Sequence, residues 1–413
     1  MNLKSDHKAT SITNYQAIFT PCYHQDAFRI AIRSYDREGL GYFLLVDPDN
    51  FETSIVLKGD IQHRKQNVGP GEIGYYTQQA IKETPYGLGL DKVMSTSHPI
   101  QNDGITHAMR PCDAKQVFLT IDLCPSKRVF EEAFFKKLAA MGTAAGKPIP
   151  IAICITEFWR TLHQEEFAYL LKQQHIGTLD ITWVNHSATH LYYHDRTSPE
   201  GLAENFLLDP RTNLTYELFE IEKALIMSGQ LPSVFFRAPG LVTDKALIDK
   251  INSMGLITLG ADAWLAKDQT PESGSIILVH GNSNEPAGIA PMMTYLEDDT
   301  FDFLPLQAAF PTPSEVPIYL AQMQAVKEGD GEETDDEAEK ELARDTAACL
   351  PEAPLAWRKP PSAAPGTRVM TFAEAGQRLA LFRQLKLKQY EVTQRRKRDA
   401  DTVDLTVKLP TIS

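Results

Sequence analysis

The sequence predicts an α/β protein, with a parallel sheet and packed helices over residues 113–324. Two observations carry that prediction. From Val117 onward, strand-length apolar runs alternate with helix-length amphipathic segments, and repeated β-α units imply parallel strands with helices outside them. Residues 1–112 read differently, as a β-rich region of short alternating strands broken by turn residues.

In chain order, Phe28-Arg29-Ile30-Ala31-Ile32-Arg33 alternates apolar and charged residues, as a half-buried strand does. Tyr42 to Val46 and Ser54 to Leu57 are the next strands, separated by the turn Asp47-Pro48-Asp49-Asn50. Gly69-Pro70-Gly71 and Tyr86-Gly87-Leu88-Gly89 read as further breaks. Val117 to Asp122 is a buried strand, followed by a helix from Val129 to Met141 that ends near Gly142. Ile149 to Ile155 is a strand, His163 to Gln174 a helix and Leu179 to Val184 a strand. Leu214 to Ser228 and Asp244 to Met254 are helices flanking the strand Ser233 to Phe236. Leu256 to Gly260 and Ser275 to Val279 are strands, with Phe301 to Leu306 a candidate closing one. Residues 325–369 turn acidic and then proline-rich, which reads as a disordered linker. The tail, 370–413, carries a helix from Met370 to Arg398 that ends in Arg395-Arg396-Lys397-Arg398.

Composition excludes some classes. A net charge of −13 over 413 residues argues against general nucleic-acid binding, because a phosphate backbone would be repelled. Five widely spaced cysteines suit a reducing compartment better than a disulfide framework. Without an apolar leader or a membrane-length run, the expectation is a cytoplasmic protein with no membrane partner, or one exported by a route that needs no signal peptide.

The chemistry-bearing residues gather after the strands, where sites of parallel α/β folds form. His186-Ser187-Ala188-Thr189-His190 follows one strand; were it helical, positions i and i+4 would share a face and could share a metal ion. Thr120-Ile121-Asp122 supplies a carboxylate and Arg237-Ala238-Pro239-Gly240 a guanidinium before a rigid turn. Asp262-Ala263-Trp264 and Ile277-Leu278-Val279-His280 complete five motifs. In order and spacing they resemble the polysaccharide deacetylases, carbohydrate esterases with a NodB-type domain, over about Asp113 to Pro311.

The resemblance implies a distorted or incomplete (β/α) barrel of seven or eight units. It implies a hydrolase that removes N-acetyl groups from an amino sugar or polysaccharide, using a divalent metal, most simply zinc, on His186 and His190. Asp122 is then the base, Arg237 its partner, His280 the acid supported by Asp262, and Pro239 and Trp264 the sugar-facing wall. The first motif departs from the family's adjacent aspartates, because Leu123 cannot ligate a metal. On a one-residue-longer register the third ligand is Cys124, and a thiolate with two imidazoles makes a sound zinc site. Two alternatives stand beside it: Asp122 binds the metal and Glu157 is the base, or no catalytic metal is held. The implied partner is a carbohydrate or an N-acetylated small molecule. The other readings are a hydrolase of a different non-peptide C–N bond and an inactive glycan-binding relative.

Overall fold

Four antiparallel strands, paired in sequence order, form the first sheet: β1 (Ile12–His24), β2 (Ala27–Arg37), β3 (Leu40–Val46) and β4 (Thr53–Leu57). The last three fall where the sequence placed strands, but β2 is buried on both faces from Ile30 to Tyr35 rather than half-buried, because Arg33 finds a buried partner in Glu222. β1 was not legible, for it is an edge strand with Pro21 inside it and two register shifts, features that blur a period of two. The computed structural model describes residues 11–62 and 78–329, all within one unit, Met1–Leu350. The Gly69-Pro70-Gly71 turn, the 325–369 linker from residue 330 on and the tail helix expected at Met370 to Arg398 lie outside the described residues, while residues 325–329, expected to open the linker, are helical.

Helices α1 (Gln78–Lys82) and α2 (Pro85–Met94) follow. The run Tyr86-Gly87-Leu88-Gly89, read above as a break, lies inside α2. Its glycines serve close packing: a Cβ on Gly87 would come within 1.9 Å of the Ile81 carbonyl oxygen, and one on Gly89 within 2.7 Å of Ile257. Thr84 caps the helix by accepting from the Gly87 N–H, and Pro85 suits its first position.

The second sheet is parallel, in the order β10-β11-β5-β6-β7-β8-β9. Its strands are β5 (Gln116–Leu123), β6 (Ile149–Ile155), β7 (Leu179–Asn185), β8 (Phe235–Phe236), β9 (Ile257–Thr258), β10 (Ala263–Trp264) and β11 (Ile276–His280). The helices between them are α3 (Glu132–Ala145), α4 (Glu157–Leu162), α5 (Gln164–His175), α6 (Pro199–Leu202), α7 (Leu214–Met227) and α8 (Lys245–Ser253). After β11 come α9 (Ile289–Glu297), β12 (Asp302–Phe303) and α10 (Val316–Gly329). This is an incomplete (β/α) barrel, as expected. No helix among the described residues is long and apolar enough to cross a membrane.

The expected closing strand does not close it: β12 pairs only with the start of β5. The opening between β9 and β10 is instead filled by the segment 101–108, which arrives from the N-terminal region. Ile105 bridges to Leu259 and His107 to Ser275, and the Gly260 and Asp262 N–H groups donate to the Ile105 and Thr106 carbonyls. The side chain of Asn102 donates to Ala261 O and accepts from Ala261 N. An edge left unpaired there would expose a row of backbone groups, and this segment satisfies them.

Strand periodicity sorts the core into two layers. Val117, Leu119, Ile121 and Leu123 of β5 point outward beneath Phe134, Phe135 and Leu138 of α3. Phe118 points the other way and shares a core with Ala152, Cys154, Val184 and Phe235, and with Ile30, Ile32 and Leu44 of the antiparallel sheet. Thr120 and Asp122 fall on that inner face, so it turns polar toward the carboxyl end of β5. The same parity buries Leu123 in the outer core and returns Cys124 to the inner side.

Candidate metal centre

Strand register sets the first part of the site. Asp122, one residue before the end of β5, stands level with His280 of β11 on one side and Cys154 of β6 on the other. Arg237, just past β8, is fully buried and reaches under Asp122. Its Nη1 donates to Asp122 Oδ1 at 3.0 Å and to Thr120 Oγ1 at 2.6 Å, and its Nη2 to Gly260 O at 2.8 Å. Burial alone would raise the Asp122 pKa. The charges of Arg237 and then His186 and His280 outweigh it and hold the carboxyl down to about 2. Asp122 is therefore ionised with one oxygen occupied, and Oδ2 lies 3.7 Å from His186 Nε2.

The two histidines do not sit on a helix. Residues 186–190 form a tight loop in which Ser187 (φ +70°) and His190 (φ +48°) occupy the left-handed region, costly for residues with a Cβ. The surroundings hold that conformation. Glu217 of α7, itself buried, accepts from the N–H groups of Ala188 and Thr189 and from the Thr189 hydroxyl at 2.6–3.1 Å. Asn185 Oδ1 accepts from Ser187 N, and Ser187 Oγ from His190 N. Such strain persists where neighbours over-determine it, commonly at functional sites. The imidazoles approach with ring centroids 4.9 Å apart, closer support for a shared ligand than helical spacing alone offered.

Cys124 joins them. Its Sγ lies 3.5 Å from His186 Nε2, and the ligand atoms of Cys124, His186 and His190 lie within 4.8 Å of one another. Among the described residues this is the one such cluster of three. A tetrahedral zinc with bonds of about 2.0 Å to nitrogen and 2.3 Å to sulfur separates its ligands by roughly 3.5 Å. His186 Nδ1 donates to the Arg237 carbonyl at 2.8 Å, which turns Nε2 toward the thiol, the orientation an outer partner imposes on a ligand histidine. Burial would push the Cys124 thiol up, but the imidazoles of His190, His280 and His186 outweigh it and hold it well below the ordinary value. The donor set thus fits a zinc-type ion. Glu157, the alternative base, has its carboxylate engaged by Arg160 at 2.7 and 2.9 Å and by Thr161.

One expected contact is absent. Asp262 precedes β10, at the amino end of the sheet, where it accepts from His107 Nδ1 (2.6 Å), Ser275 Oγ (3.2 Å) and Ile276 N (3.0 Å). His280 lies four residues beyond Ile276, roughly 13 Å along the strand. Asp262 therefore does not support His280; the segment that fills the barrel opening has claimed it. The carboxylate beside His280 is Glu285, whose Oε2 lies 3.1 Å from Nδ1 and accepts from Trp264 Nε1 at 2.6 Å. Burial would lower the His280 pKa, but Cys124, Glu285 and Asp122 outweigh it and raise it well above the ordinary value. Sequence spacing gave no signal for Glu285, which reaches the site from the loop after β11.

The expected wall residues are largely enclosed. Trp264 is buried, with Lys267 Nζ 3.5 Å from its ring centroid, and Pro239 is buried in the turn after Arg237. Neither offers an open face to a ligand.

Comparison with known proteins gives two kinds of match. The family model described as RP012 protein N-terminal domain matches residues 13–87, which span the antiparallel sheet. Among solved structures, a family 4 carbohydrate esterase from Bacillus anthracis is 17% identical over 54% of this chain and 89% of its own, with a TM-score of 0.36. PdaA, a family 4 carbohydrate esterase of Bacillus subtilis, is 13% identical over 56% and 89%, with a TM-score of 0.38. A family 4 pseudoenzyme from Bacillus anthracis is 15% identical over 48% and 65%, at 0.32. The architecture stands on the topology described above, and the chemistry on the site's own geometry.

Proposed function

We propose that this protein is a metal-dependent hydrolase that removes N-acetyl groups from an amino sugar or its polymer. The observation that supports it most is the convergence of a Cys-His-His donor set, buried at Cys124 and His186, with an ionised carboxylate and a protonatable imidazole that face each other across neighbouring strands. A zinc ion held by Cys124, His186 and His190 would supply Lewis acidity toward an amide carbonyl and lower the pKa of water. Asp122 accepts the proton of the attacking water, and Arg237 keeps it ionised and fixed by occupying Oδ1. His280 gives its proton to the departing nitrogen as the C–N bond breaks, so acetate and a free amine leave. Glu285, whose carboxylate lies 3.1 Å from Nδ1, stabilises the imidazolium by its charge.

The deciding experiment pairs metal content with product. The purified full-length protein should carry about one zinc per chain and release acetate from tetra-N-acetylchitotetraose. Cys124→Ser should weaken zinc binding by more than the roughly 10–100-fold that loss of an outer partner costs. A Ser variant with wild-type zinc affinity would remove Cys124 from the ligand set, and a wild type without metal or acetate release ends the proposal.

Glu285→Gln tests the acid. Because His280 works protonated, activity declines as pH rises through its pKa. Removing the carboxylate lowers that pKa, so the alkaline limb of the pH–rate profile should move to lower pH. An unmoved limb shows that Glu285 does not tune His280.

A further inference from the structure

Asn282 is a buried polar residue that the reaction leaves unused. It stands two residues past His280, on the chain leaving β11, and is fully buried. Its Nδ2 donates to the Cys124 carbonyl at 2.6 Å. Its Oδ1 is also buried and meets no donor among the described residues. An acceptor left unmade in the interior is unfavourable, so nothing but the donation to Cys124 offsets the burial of this amide.

That donation carries the pairing of β5 and β11 past the ends of both strands, at Leu123 and His280. The first step beyond is still backbone, since Gly281 N donates to the Asp122 carbonyl at 3.1 Å. The packing there leaves no slack: a Cβ on Gly281 would come within 2.8 Å of the Phe135 ring and 2.9 Å of Ile121. At Cys124 the ladder gives out, because Pro125 has no N–H to continue it. The Asn282 side chain takes over. The carbonyls on either side have partners from other elements. Leu123 O accepts from Thr156 N at 3.3 Å and Thr156 Oγ1 at 3.1 Å, and Ser126 O from His163 Nε2 at 2.5 Å. The peptide planes before and after the Cys124 Cα are thus fixed, one by Thr156 and the other by Asn282. Two fixed planes set the direction of the Cα–Cβ bond, and with it the reach of Sγ, 3.5 Å from His186 Nε2.

We propose that Asn282 is a positioning residue for the metal, which holds Cys124 where its thiolate can share an ion with His186 and His190. The proposal rests on that ligand set and deepens it. A ligand must be held within roughly 0.5 Å of its working place, and the chain turns away from the sheet at this cysteine. Asn282 also follows His280 by two residues, so one side chain ties the ligand's loop to the strand that carries the acid.

Zinc affinity of the full-length protein, measured by competition with a chromophoric chelator, tests this in a double-mutant cycle. Asn282→Leu keeps the volume of the side chain and removes the donor together with the orphaned acceptor. It should weaken zinc binding about tenfold, the lower end of the range for an outer partner. In a Cys124→Ala background the same substitution should change zinc affinity by less than about twofold, because the ligand it positions is gone. Asn282→Ala gives the same comparison with a smaller side chain. Wild-type zinc affinity in both Asn282 variants overturns the proposal. So does an equal loss in both backgrounds, the result of a merely structural role. Acetate release, measured in parallel, keeps the claims apart. A wild type without zinc, or a Cys124→Ala protein with wild-type affinity, overturns the ligand set and the positioning role together. Coupled loss of zinc affinity in a protein that releases no acetate supports the role of Asn282 and sinks the hydrolase reading alone.

Discussion

Asp122→Asn should reduce acetate release by about 10²–10⁴-fold, the range that a positioned acid or base contributes. The amide keeps the shape of the carboxylate but cannot accept the proton of water. Zinc content should change far less, because the cluster within ligand distance is Cys124, His186 and His190. The variant also carries a second signature. With Asp122 neutralised, the fully buried Arg237 loses its counter-charge, so the fold loses stability at neutral pH. The sign follows from the depressed pKa. Asp122 stabilises the fold where it is ionised in both states, above the ordinary carboxylate value near 4, and loses that contribution as pH falls toward about 2. The stability gap between wild type and Asp122→Asn should therefore be constant above about pH 4 and shrink below it. Urea unfolding across that range measures the gap. Retention of more than about a tenth of the wild-type rate removes Asp122 from the role of base.

The second large effect concerns the join between the two sheets. Glu222 of α7 and Arg33 of β2 form a buried pair with two hydrogen bonds, Nε to Oε2 at 2.7 Å and Nη2 to Oε1 at 2.8 Å. Tyr15 of β1 donates to the same carboxylate at 2.9 Å, and Asn185 Nδ2 at 3.2 Å. Glu222→Ala strands the guanidinium in the core and should cost about 3–5 kcal/mol, against a total stability of roughly 5–15 kcal/mol for a typical domain. Replacing both partners together, Arg33→Met with Glu222→Met, removes the desolvated charges and should recover most of that loss. Denaturant midpoints of the three variants give the comparison. A single variant that loses less than about 1 kcal/mol would show that water reaches Arg33 and that the pair contributes little. Since Asn185 immediately precedes His186, the same network steadies the start of the ligand loop.

How far the sequence reached can be read from particular residues. The strands Val117 to Asp122, Ile149 to Ile155 and Leu179 to Val184 were visible because buried parallel strands are nearly continuous apolar runs. The parity that puts Asp122 and Cys124 on one face, with Leu123 opposite, was also present in the sequence as a period of two. α2 was missed because glycines that permit close packing look the same in sequence as glycines that break a helix. The strands read at Ser233 to Phe236 and Leu256 to Gly260 shrank to two residues each as β8 and β9, and the two-residue β10 was not read as a strand, since short strands on a curving sheet leave little pattern to read.

For the site, local order in the sequence determined which residue types stand near the strand ends: the Asp122 carboxylate, the Cys124 thiol, the histidines and Arg237. Only the tertiary structure decided how they are joined. The histidine pair converges through a strained loop rather than a helix, because Glu217, twenty-seven residues past His190, holds its backbone N–H groups. The carboxylate against His280 is Glu285 rather than Asp262, because a segment from the N-terminal region fills the barrel opening and binds Asp262 at the other end of the sheet. Spacing along a chain records strand and turn periods. It holds no record of which distant backbone group or charge a side chain must satisfy once water is excluded, and burial makes that choice costly to leave open.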